Sequence, residues 1–122
     1  MKFAKYTFYT AGIYGLIALI PQYFLEEKNG RDFPPAITHP EYFYGFVGVA
    51  LAFQVAFLII AGNPAKYRAM MIPSIIEKFS FAIAVYALFA FGRVHSIMVG
   101  LASVDLIFGL LFVGSFLKTK EE

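Results

Sequence analysis

The chain contains no cysteine and no tryptophan. The first absence excludes disulfides, thiol chemistry and Cys-ligated metals. The second leaves the aromatic load to 15 Phe and 8 Tyr. Charge is scarce too: 15% of residues are Asp, Glu, Lys or Arg, where soluble domains carry about 25%. A net charge of +2 is too small to point to a nucleic-acid partner. There is no internal repeat, no phosphate-binding glycine loop after a strand, and no serine with a histidine and an acid near it. What is abundant is apolar surface, 60% of 122 residues. A soluble chain this short cannot bury so large a fraction of itself. One integral membrane domain is the reading that remains.

Four apolar runs carry it: Phe8 to Leu25, Tyr42 to Ala61, Ser74 to Phe91 and Ser96 to Leu117. Each matches the roughly 17–25 residues of a spanning helix. The runs are continuous rather than alternating, which favours helices over a barrel. Glu26 to Glu41, with Gly30, Pro34, Pro35 and Pro40, reads as a linker, as does Gly62 to Pro73. Gly92 to His95 is so short that the last two helices must be adjacent and antiparallel. The fold class is therefore an all-α, four-helix antiparallel membrane bundle. Lys2, Lys5, Lys66, Arg68, Lys118 and Lys120 fall on one side, against Lys28, Arg31 and Arg93 on the other. Positive charge collects in the cytoplasm, so both termini are expected inside. Tyr6, Tyr9 and Tyr67 mark the inner boundary and Tyr23, Tyr42 and Tyr44 the outer one, as an aromatic belt would. The basic N-terminus runs into Ile20-Pro21-Gln22 without a small-residue cleavage site, so the first helix is expected to be retained.

Asp105 stands in the middle of the last run. A carboxylate there costs about 2.5–3.5 kcal/mol on insertion scales, so it should face protein or water. At ~1.5 Å per residue, Asp105 lies ~14 Å from the outer end, Tyr14 ~16 Å, Gln54 ~18 Å and Tyr86 ~9 Å. Each helix thus places one hydrogen-bonding side chain in a central slab. These groups either satisfy one another and set helix rotation, or line a pocket for a small polar group or a proton route. With no obvious cation at that depth, Asp105 is expected to be neutral. Glu77 is the second deep acid. Ser74-Ile75-Ile76-Glu77 matches a capping box, so Glu77 is read as a helix cap first and a ligand second, within reach of Gln54. Lys78 beside it can snorkel to the headgroups.

Thr38-His39-Pro40-Glu41 is another capping-box pattern. It brings His39 to the outer face, where Arg93 and His95 also lie. A pH-sensitive surface fits better than a metal site, which needs three or four convergent ligands. Gly48, Ala52 and Ala56 form a small-residue stripe on the second helix, with Gln54 on roughly the opposite side. Gly12, Gly15 and Gly109 are further points for close helix approach. Phe53 and Phe57, and Phe108, Phe112 and Phe116, read as core or lipid-facing.

Ile76-Glu77-Lys78-Phe79, Gly92-Arg93 and the run from Asp105 to Phe112 resemble the DoxX-like group of small bacterial four-helix membrane proteins. The resemblance covers the C-terminal half. It implies the bacterial inner membrane, and a role in some relatives as an accessory subunit of membrane redox systems. Without cysteine or a haem-like histidine pair, direct redox chemistry is not expected here. A more distant similarity is to four-helix sterol-isomerase-like membrane proteins, with Asp105 and Glu77 as the intramembrane acids. The resulting expectation is a non-enzymatic protein binding or passing a small or lipid-like molecule around Asp105, with Gln54, Tyr14, Tyr86 and Glu77 beside it. The alternatives are a structural subunit of a larger membrane complex or a homo-oligomer, and a small intramembrane acid–base enzyme. No cofactor or metal is expected.

Overall fold

The computed structural model describes residues 2–119, and these are all-helical, with no strand among them. Met1 and Lys120, the latter one of the positive charges expected on the inner side, lie outside the described residues. Helix α1 is Lys2–Leu19, α2 is Glu26–Asp32, α3 is Pro40–Gly62, α4 is Met71–Ala90 and α5 is Ile97–Lys118. A tighter turn, Ile20–Phe24, prolongs α1 where Pro21 removes a backbone donor. Another, Arg68–Met70, leads into α4. With these turns, four helices of 22 or 23 residues are long and apolar enough to cross a membrane. The protein is a small membrane protein on these grounds. Large apolar side chains such as Ile17, Ile59, Ile83 and Leu110 point outward.

Helix boundaries follow local chemistry. Pro40 opens α3 at a position that has no helical partner for its missing N–H. Gly92, with φ of 71°, ends α4: Arg93 N–H donates to Leu88 O and Gly92 N–H to Phe89 O. This left-handed cap satisfies carbonyls that the last turn would leave unpaired, and glycine adopts it without a Cβ penalty. At the end of α5, the Arg68 Nε donates to Phe116 O at 3.1 Å and Thr119 O at 2.7 Å, with the guanidinium 3.7 Å from the Phe116 ring centre. A cation thus meets the negative end of the helix.

The two capping boxes do not form. Helix α4 starts at Met71, three residues before Ser74, whose hydroxyl donates to Met70 O at 2.8 Å. Helix α3 has His39 at its cap with no side-chain cap bond, and Glu41 faces the His39 Nδ1 at 3.4 Å instead. Nor is Glu26 to Glu41 only a linker, because α2 lies within it. The Lys28–Asp32 ion pair spans one turn of α2. Asn29 Nδ2 donates to Gln22 Oε1 at 2.7 Å and Tyr44 Oη to Glu26 Oε1 at 2.9 Å. These two bonds tie α2 to α1 and α3.

Helix α1 packs closely on α3 and also touches α5, and α5 packs closely on α4; α3 and α4 meet only briefly. The core face of each helix repeats every three or four residues: Ala4, Phe8, Ala11 and Gly15 on α1; Val47, Ala50, Gln54 and Phe57 on α3. The small-residue stripe is therefore not the packing face of α3. Ala52 is exposed and Gly48 and Ala56 only half-buried, while Gln54 is 2% exposed. Larger residues win that face because Gly12 and Gly15 on α1 already supply the room. Toward the chain termini the core is solid, built on Phe8, Phe57 and Phe112. Phe8 stacks on Phe112 at 4.1 Å, and Phe57 meets both rings edge-on. Lys118 Nζ lies 4.2 Å from the Phe3 ring centre, so the start of α1 and the end of α5 are neighbours.

Candidate functional site

Toward α2 the helices part around a cavity of about 770 Å³. Its walls are mainly apolar, from Val47, Phe46, Phe53, Phe81, Met98 and Leu101. Phe33 and Ile37, next to α2, line it from the far end. Phe46 and Phe81 stack at 6.0 Å across the sparse α3–α4 seam. A second recess of about 520 Å³, under Tyr23, Glu26 and Arg31, belongs to the α2 surface and holds none of the deep polar groups.

Among the described residues, all the charge in the lining comes from Glu77, Lys78 and Asp105. Lys78 Nζ donates to Asp105 Oδ1 at 3.2 Å and sits 3.7 Å from Glu77 Oε1. The Lys78 side chain is 4% exposed, against 20% for Glu77 and 18% for Asp105. Its ammonium also lies 5.2 Å from the Phe57 ring centre and 5.8 Å from Phe108, at cation–π range. Lys78 therefore does not snorkel to the headgroups; it is the cation at depth that sequence reasoning did not place. It shares the buried stripe of α4 with Met71, Ser74, Ala82 and Val85. Buried neighbours at helical spacing on either side place it on the packing face of α4. On the opposing helix, a Cβ at Gly109 would lie 3.2 Å from the Lys78 Cβ. Gly109 thus lets α5 approach closely enough for the ion pair.

An amide lines the same cavity as the acids. Gln54 Nε2 donates to Ala50 O at 2.8 Å, and its Oε1 is buried without a partner. Glu77 Oε2 is likewise buried and unpartnered. Such orphaned acceptors are uncommon in folded proteins and cost free energy. Gln54 reaches its place because α1 carries Gly15: a Cβ there would come within 1.8 Å of Gln54 Oε1. Tyr14 also lines the cavity, 36% exposed, with its ring 5.6 Å from that of Phe108.

Four of the five sequence-selected residues, Asp105, Gln54, Tyr14 and Glu77, thus share one cavity. Tyr86 does not. Its hydroxyl hydrogen-bonds to Ser103 Oγ at 2.8 Å, between α4 and α5, and it packs on the separate cluster of Ala82, Val85 and Ala102. Depth alone put Tyr86 in the polar layer; helix rotation turns it into a neighbouring interface. At the α2 end, His95 Nδ1 accepts from Ile97 N–H at 3.1 Å and its ring meets Phe33 at 5.6 Å. His39 stacks on Tyr42 at 4.7 Å. Among the described residues, no three His, Asp or Glu side chains converge as a metal would require.

No protein-family model matches the sequence, and comparison with characterised proteins and with solved structures returns no significant match.

Proposed function

We propose that this protein is a binding protein of the bacterial inner membrane that holds a small or lipid-like molecule beside Asp105. In this reading the four apolar helices form an antiparallel bundle with both termini in the cytoplasm. The excess of Lys and Arg beside the termini and in the 63–70 connection supports that orientation. The observation that carries the functional reading is one juxtaposition. A mostly apolar cavity of about 770 Å³ meets two carboxylates, an ammonium and two unpartnered acceptors at mid-helix depth. Ligand pockets are commonly of this size, with apolar walls and a few convergent polar groups. The Phe8–Phe57–Phe112 cluster closes the other half of the molecule, which favours holding a ligand over passing it. The sparse α3–α4 seam offers a route from the lipid.

The resemblance to DoxX-like proteins belongs to this proposal, since Glu77, Lys78 and Asp105 lie within its quoted segments and line the same cavity. A second reading, an intramembrane acid–base enzyme, is favoured by one observation: Glu77 and Asp105 share a single ammonium.

Native mass spectrometry of protein extracted gently from its own membrane tests the binding reading. The chain is expected to carry a retained small mass, and Asp105→Asn to lose that mass at unchanged yield. Full retention by Asp105→Asn, or recovery of both proteins without any added mass, refutes it. Recovery in fixed ratio with other subunits and no ligand would make the chain a structural component.

A further inference from the structure

The charged part of the cavity lining presents carboxylates and buries its ammonium. Among the described residues, the only cation in its lining, Lys78, is 4% exposed and turned toward Asp105, Glu77 and the rings of Phe57 and Phe108. The remaining accessible surface of the charged cluster belongs to the carboxylates, 20% for Glu77 and 18% for Asp105. Two acids face one ammonium, so the ionised cluster carries one uncompensated negative charge. Independently, the buried Gln54 Oε1 at the cavity wall has no donor, and neither has Glu77 Oε2. A carboxylate or phosphate head would add a third anion and satisfy none of these atoms. A hydroxyl would satisfy one acceptor and leave the charge. A compact cation with several N–H bonds answers both deficits, and charge-assisted hydrogen bonds are the strong ones.

We infer that the cavity takes a single-chain amphiphile with a primary ammonium head: the head among Glu77, Asp105 and Gln54, the chain along Phe46, Phe53 and Leu101. This rests on the binding reading above and names the class of ligand for the same site. A carboxylate in lipid is costly, and here two share one ammonium, so the bound cation contributes by supplying the second positive charge.

The absence of tryptophan permits a clean optical test. Phe43→Trp places one reporter in the cavity lining, and Leu110→Trp places another on the outward face of α5. Each variant is put in phosphatidylcholine nanodiscs and titrated with bromo-undecylamine, bromo-undecanol and bromo-undecanoate, whose bromine quenches tryptophan. The outward reporter measures partition into lipid; the ratio of the two reporters measures occupancy of the cavity. The amine is expected to fill the cavity at about a tenfold lower concentration than the alcohol or the acid. Glu77→Gln and Asp105→Asn, added singly to the cavity reporter, should each shrink that advantage. Equal occupancy by all three probes, or a preference for the acid, overturns the ammonium assignment and leaves the binding reading standing. If no probe quenches the cavity reporter beyond the outward one, the binding reading fails with it.

Discussion

Lys78 holds one ammonium between two carboxylates inside an apolar span, and this single side chain decides the charge of the site. Removing one member of a buried ion pair leaves its partner desolvated and uncompensated, a loss of about 3–5 kcal/mol. Lys78→Met is expected to lower stability on that scale, read as the midpoint of unfolding in mixed micelles of mild detergent and SDS. Adding Asp105→Asn should restore part of the loss, since one acid then remains where two repelled each other. If the double variant is no more stable than Lys78→Met, Lys78 acts through its apolar stem rather than its charge. The importance of Asp105 was legible because an acid is conspicuous in an apolar run. That of Lys78 was not: a lysine near a helix end ordinarily reaches the headgroups, and only the rotation of α4 turns it inward.

At the scale of elements, α1 and α3 meet through two glycines that do different work. At Gly12 a Cβ would lie 2.7 Å from Leu58 Cδ2 and 3.0 Å from the Gln54 backbone O, so an added methyl must separate the helices. At Gly15 the obstructing atoms are the movable end of the Gln54 side chain. Overpacking costs about 1–3 kcal/mol. Gly12→Ala is therefore expected to destabilise in the same micelle assay, and Gln54→Ala should not rescue it. Gly15→Ala should be rescued by Gln54→Ala, giving a coupling on the scale of neighbouring residues, about 0.5–3 kcal/mol. Additive effects at Gly15 and Gln54 would mean the amide does not occupy the space above Gly15. The glycines were recognisable in the sequence as close-approach points. The small-residue stripe Gly48, Ala52, Ala56 looked equally suitable, yet it faces outward, because periodicity identifies a face and not its partner.

For the whole molecule, the decisive question is which face of the membrane each end meets. The native chain has no cysteine, so single cysteines report without background. In intact cells, a membrane-impermeant thiol reagent should label the exposed Glu27→Cys on α2 and leave the exposed Lys66→Cys unlabelled until the cells are opened. The reverse pattern would invert the orientation inferred from Lys and Arg. Labelling of both in intact cells would deny that the two positions lie on opposite faces.

Membrane character, the four long helices and the positions of Asp105, Gln54 and Tyr14 along them were all determined by the sequence alone. Each depends on composition and on distance along one helix, which a linear count measures. Helix rotation, and with it the identity of the site, was decided only by tertiary packing. Rotation carried Tyr86 away to Ser103, brought Lys78 inward to Asp105, and placed Gln54 and Glu77 on the wall of one cavity. The physical reason is that a helix's azimuth is set by which side chains interlock with its neighbours. Gly12, Gly15 and Gly109 gain their meaning from Leu58, Gln54 and Lys78, residues far along the chain that become neighbours only in the fold.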